Sequence, residues 1–116
     1  ISEMYLIRAE ARAQQGNGTG AAEDLNAIRT NRGVSELTNA SVADVLEERQ
    51  RELMFEGHTT FDYWRNGIDL VRDQCNTGIE LTSPCTIGAN DNLTVHPIPQ
   101  REIDVNQNMV QNPGYL

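Results

Sequence analysis

Ser2-Glu3-Met4-Tyr5-Leu6-Ile7-Arg8-Ala9-Glu10-Ala11-Arg12-Ala13-Gln14-Gln15-Gly16-Asn17-Gly18-Thr19-Gly20-Ala21-Ala22-Glu23-Asp24-Leu25-Asn26-Ala27-Ile28-Arg29-Thr30-Asn31-Arg32-Gly33 decides the fold. Met4, Ile7 and Ala11 fall at i, i+3 and i+7, and Tyr5, Ala9 and Ala13 extend the stripe, which predicts a helix over 2–15. Gly16 suits the position just past a helix end, and 16–20 reads as a flexible connection. A second helix follows over 20–32. Ala21, Leu25 and Ile28 mark its apolar face, Glu23 and Asp24 sit near its electropositive start, and Gly33 closes it. The small alanines allow a partner helix to approach closely.

Two helices in about 33 residues make one helix–turn–helix unit of tetratricopeptide size. No second copy follows, and an unaccompanied pair leaves a face uncovered. Ile1 is already in helical register without a lead-in, so the sequence reads as a piece cut from a longer chain. No targeting signal is visible. Downstream, Ser41 and Asp44 have the spacing of a capping box and open a third helix. Val42, Leu46 and Leu53 lie on one side of it, joined by Val45. Glu47, Glu48, Arg49, Arg51, Glu52 and Glu56 crowd the rest, with Glu47–Arg51 a favourable i, i+4 pair. Gly57 is expected to break this helix. Thr59 or Thr60 would then cap a short fourth one carrying Phe61, Tyr63 and Trp64. Four of the six aromatic residues fall between Phe55 and Trp64, and this corner is expected to anchor the core.

From Gly67 the periodicity fades. Residues 76–94 have loop composition, with short strands expected at 79–81 and 93–95. Pro97-Ile98-Pro99 is extended by proline geometry, with a short helix over 100–103 and a turn at 112–115. The expected fold is therefore all-α: a tetratricopeptide-like hairpin plus further helices over 1–66, then a long irregular C-terminal tail over 67–116.

The composition excludes several functions. The 116 residues carry a net charge of −8, which disfavours binding to nucleic-acid phosphates. No apolar run is long enough to span a membrane. All nine basic residues are Arg, so lysine chemistry is absent. His58 and Asp62 at i, i+4 resemble a metal half-site, but Gly57 interrupts and His96 lies in an unrelated loop. The carboxylates suit solvated or Arg-paired positions better than a two-carboxylate hydrolase. Gly16-x-Gly18-x-Gly20 follows a helix and lacks the strand a phosphate loop needs. Asn90-Asp91-Asn92 lacks EF-hand spacing. The sequons at Asn17, Asn39 and Asn92 are expected by chance among eleven Asn. No cofactor is implied. Cys75 and Cys85 flank a loop-like segment and are a candidate disulfide of the kind that persists in exported proteins; the alternative is two free thiols.

Three segments together resemble the C-terminal region of the SusD/RagB family. The first is Glu3-Met4-Tyr5-Leu6-Ile7-Arg8-Ala9-Glu10-Ala11 with Asp24-Leu25-Asn26-Ala27-Ile28-Arg29. The second is Glu48-Arg49 … Arg51-Glu52-Leu53-Met54-Phe55-Glu56-Gly57-His58 … Phe61-Asp62 … Arg65. The third is Pro97-Ile98-Pro99 … Glu102-Ile103 with Asn108 … Val110-Gln111-Asn112-Pro113-Gly114-Tyr115. Thr59 and Gln107 depart from the usual Arg and Pro. The resemblance implies part of a longer surface lipoprotein of Bacteroidetes, lipid-anchored outside this segment at the outer membrane. Such proteins capture oligosaccharide and deliver it to a SusC-like TonB-dependent transporter without cleaving it. It implies a structural role for Glu48, Arg49, Glu52, Phe55, Glu56, Gly57, His58, Phe61 and Asp62, and it assigns no ligand-binding residue. Without it, the residues also fit a helical adaptor for a protein partner, or a hydrolase fragment whose catalytic groups lie elsewhere.

Overall fold

The computed structural model describes residues 1–72, 75 and 84–115, which fall into two compact units, 1–62 and 63–116. Helix content dominates, in line with the all-α expectation. The first unit opens with α1 (Ser2–Gln14) and α2 (Gly18–Arg29), the latter extended by a 3-10 turn at Thr30–Arg32. α1 ends in a Schellman motif: Gly16 takes φ +79°, its N–H donates to Ala13 O, and the Asn17 N–H donates to Arg12 O. The connection is shorter than the glycines suggest, because Asn17 caps α2 by accepting from the Gly20 N–H. Gly18 is already helical. A Cβ there would meet the Asn39 side-chain oxygen Oδ1 at 2.2 Å, so any larger residue at 18 has to displace the Asn39 amide.

The α1–α2 pair packs through Leu6, Ala9, Ala21, Ala22, Leu25 and Ile28, and α3 (Val42–Glu52) adds Val45. The α2 face is the one the sequence marks. On α1 the expectation holds in part: Ala9 is in the core and Tyr5 and Ala13 pack against it, but Met4, Ile7 and Ala11 are exposed, and Leu6 and Glu10 are buried in their place. Both sides are apolar enough to satisfy helical periodicity. The side that carries Ala9 faces inward, where its small side chain lies among Ala21, Ala22 and Leu25 of the core.

The loop between α2 and α3 is pinned by an amide. Asn26 Nδ2 donates to Leu37 O at 2.8 Å, and the Leu37 N–H donates to Asn26 Oδ1 at 2.9 Å. α3 begins with the expected capping box. The Asp44 N–H donates to Ser41 Oγ, and the Ser41 N–H donates to Asp44 Oδ2 at 2.8 Å. The Ser41 hydroxyl, first, and its N–H hold the Asp44 carboxyl below its ordinary range. A depressed carboxylate stabilises the fold fully above its ordinary pKa near 4, and that contribution fades as pH falls further. Ser41→Ala is therefore expected to cost about 1 kcal/mol at pH 7. It should also flatten the loss of stability between about pH 5 and pH 3. Urea unfolding of both proteins across that range would show it, and parallel pH curves would refute the coupling.

α3 ends at Glu52, before Gly57. The Glu56 N–H donates to Leu53 O and closes a four-residue turn. Phe55 is its third residue, with φ +68°, where a turn of this kind normally takes glycine. A non-glycine residue in that conformation costs about 1–2 kcal/mol. The aromatic corner does not anchor the core: Phe55 and Phe61 are exposed, and Tyr63 and Trp64 are half-buried. The core is aliphatic and alanine-rich instead.

α4 (Thr59–Arg65) leads into the second unit. There β1 (Leu70–Val71) pairs antiparallel with β2 (Thr86–Ile87), Leu70 opposite Ile87. Of the two expected strands, 79–81 lies outside the described residues. The other, at 93–95, is replaced by a 3-10 turn, Asn92–Thr94, because Asp91 Oδ1 accepts from the Leu93 N–H and curls the chain. α5 (Gln100–Val105) follows Pro99, which takes the N-cap position. Cys75 and Cys85 are joined by a disulfide.

Candidate functional site

The charged stretch from Glu48 to Asp62 is the densest polar construction in the first unit. Arg49 and Glu48 are adjacent on α3, yet both are buried, because a helix set between α1 and α2 turns two consecutive positions inward. Arg49 Nε donates to Asp62 Oδ2 at 2.8 Å, joining α3 to α4 across the turn. The Arg49 and Asp62 side chains are 5% and 9% exposed. The Arg49 Nη1 atom is buried with no hydrogen-bond partner among the described residues. Glu48 accepts from Arg29 Nη1 at 2.5 Å and from Arg51 Nη1 at 3.5 Å. Arg29 also donates through Nε to Ser35 O at 2.8 Å. Arg51 further pairs with Glu47, as expected from their spacing.

The remaining residues of the stretch divide by position. Glu52 accepts from Arg32 at 2.7 Å, and this pairing, first among its causes, lowers the Glu52 pKa. The His58 carbonyl accepts from the Asp62 N–H and starts α4. Gly57 takes φ +78°. Phe55, Glu56, Gly57 and Phe61 are exposed and His58 is half-buried. The structure thus brings Glu48, Arg49, Glu52 and Asp62 into ion pairs and leaves Phe55, Glu56 and Phe61 facing outward. No group of three or more His, Cys, Asp or Glu side chains suited to a metal occurs among the described residues.

Asp24, expected only to sit near the start of its helix, is a further buried carboxylate. Asp24, on α2, accepts from Arg8 Nη2 at 2.6 Å and from Arg12 Nη1 at 3.0 Å, both on α1. Arg12 Nη1 also donates to Gly20 O at 2.8 Å. The pairing with Asp24 raises the Arg8 pKa. The i, i+4 spacing of Arg8 and Arg12 is the signal that could have found it: two arginines on one helix face suit one carboxylate opposite. Asp24 on α2 and Glu48 and Arg49 on α3 act as cross-braces between helices.

In the second unit the Pro97-Ile98-Pro99 segment meets the chain's closing residues. Gln111 Oε1 accepts from the Ile98 N–H at 2.8 Å, and its Nε2 donates to Ile98 O at 2.9 Å. Asn112 Nδ2 donates to His96 O, and the Tyr115 hydroxyl donates to Val95 O, both at 2.7 Å. Flanking prolines leave Ile98 the only N–H among residues 97–99. A side-chain amide answers it in the way a neighbouring strand would.

These features can be set beside known proteins. The SusD family model matches residues 1–115. The chain is 31% identical to the starch-binding protein SusD of Bacteroides thetaiotaomicron, over 99% of this chain and 20% of that protein. It is 30% identical to the SusD-like protein P38 of Formosa agariphila, over 98% and 23%. A SusD superfamily protein from Bacteroides vulgatus superposes with a TM-score of 0.76 at 37% identity, over 99% of this chain and 27% of that one. Another, from Bacteroides thetaiotaomicron, gives 0.74 at 36%, over 97% and 26%. The chain therefore spans about a fifth of the length of the two curated relatives. Since the match runs through both compact units and is not confined to the helical hairpin, the chain belongs to the SusD family.

Proposed function

We propose that this chain is the C-terminal segment of a longer, lipid-anchored protein on the outer-membrane surface. That protein captures oligosaccharide and passes it, uncleaved, to a SusC-like TonB-dependent transporter. The end-to-end match to a family that includes a starch-binding protein carries the reading. The chain's own chemistry supports a scaffolding share in it. Asp24, Glu48, Arg49 and Asp62 are engaged in ion pairs between helices. Sugar recognition, by aromatic stacking and hydrogen bonding, then falls to the rest of the longer protein, and this segment holds its shape.

The test takes the full-length protein. Calorimetric titration with neutral oligosaccharides of several linkages is expected to give saturable binding to at least one, with unchanged sugar recovered by chromatography. A pull-down from gently solubilised native membranes is expected to recover a large outer-membrane β-barrel transporter. Cleaved sugar would overturn the non-enzymatic reading. A soluble bait that binds no sugar and recovers only soluble proteins would favour the helical adaptor.

A further inference from the structure

We infer that Phe55, with Met54 beside it, docks this chain into an apolar pocket on the part of the longer polypeptide outside residues 1–116. The inference rests on the reading that the chain is a segment of such a polypeptide. Phe55 is 98% exposed and Met54 57% exposed. Phe55 also has φ +68°, a conformation that bulky residues rarely adopt. The turn that holds it there is fixed at both ends. Leu53 is buried in the core, and the Glu56 N–H bonds Leu53 O.

Glycine would make this turn without strain, and a polar residue would meet water at less cost. An aromatic ring both strained and bare is unfavourable on each count unless something covers it. Phe55 and Met54 are adjacent and carry no polar side-chain atom able to donate, so together they present an apolar surface that suits a dry pocket. The relatives point to the source of that pocket. This chain covers only 20% and 23% of the curated ones, and 27% of a solved one. Most of such a protein lies outside this segment.

The test places benzoylphenylalanine at position 55 of the full-length protein and irradiates it. The expected product is a crosslink within one polypeptide, mapped by peptide mass to residues outside this chain. A crosslinked dimer, or no crosslink, overturns the inference. In parallel, Phe55→Gly removes the ring and the strain together. If the ring is docked, Tm falls by about 2–4 °C or more despite the relief of strain. If the ring is bare, Tm rises. Weakened sugar binding at unchanged Tm would make Phe55 a sugar contact and also overturn the docking. An intact mass equal to this chain alone would instead remove the longer-protein reading, a failure separate from the other outcomes.

Discussion

Asp62→Ala is expected to destabilise the helical unit by about 3–5 kcal/mol, because it leaves the Arg49 charge buried without its carboxylate. The magnitude follows from burial. Arg49 and Asp62 are 5% and 9% exposed, so water cannot replace the lost partner without opening the corner between α3 and α4. Arg49 Nη1 already lacks a hydrogen-bond partner among the described residues, so losing Asp62 adds to an existing shortfall. The surface pair Glu47–Arg51 provides the contrast. Both side chains are more than half exposed, and Glu47→Ala should cost under about 1 kcal/mol. A paired replacement, Arg49→Met with Asp62→Leu, should recover most of the stability lost in Asp62→Ala, since an apolar pair of similar volume leaves no buried charge. Urea unfolding followed by circular dichroism would order the four proteins. A loss below 1 kcal/mol in Asp62→Ala would mean that the pair is solvated and braces nothing.

Leu25→Ala is expected to cost about 3–4 kcal/mol. Leu25 is fully buried among Leu6, Ala9, Ala21 and Val45. Alanine neighbours have no side chain with which to reach into a vacated space, so the cavity would persist. Met4→Ala on the outer side of α1 should cost no more than about 0.5 kcal/mol. Equal losses at the two positions would show that the inward face of α1 has been misassigned.

That face illustrates what the sequence carries and what it leaves open. Ser41 with Asp44, the α2 stripe and the glycine stops are local devices, readable because their chemistry is completed within a few residues. On α1 the Tyr5, Ala9 and Ala13 side is legible, but apolar residues flank it on both sides, and only packing against α2 buries Leu6 and leaves Met4 and Ile7 outside. The aromatic run from Phe55 to Trp64 looks like a core because ring area is usually buried, yet the core forms where alanines let helices close. The least legible contacts are Asn26 with Leu37 and Gln111 with Ile98. Each joins residues more than ten positions apart, through a side-chain amide on one and the backbone of the other, and nothing in local spacing points to the partner. Of the charged stretch, the i, i+4 pair is visible from spacing. The partnership of Arg49 with Asp62 depends on the turn between them, and Glu48 with Arg29 on the crossing of two helices.

The Cys75–Cys85 bond makes an eleven-residue covalent ring within the second unit. A single protease cut at any peptide bond inside that ring changes the number of chain ends without changing the number of molecules. Such a nicked protein would run at full mass on a gel without thiol and separate into two pieces once thiol is added. Resistance to digestion should therefore be judged on reduced samples, since an unreduced gel would count a severed chain as whole.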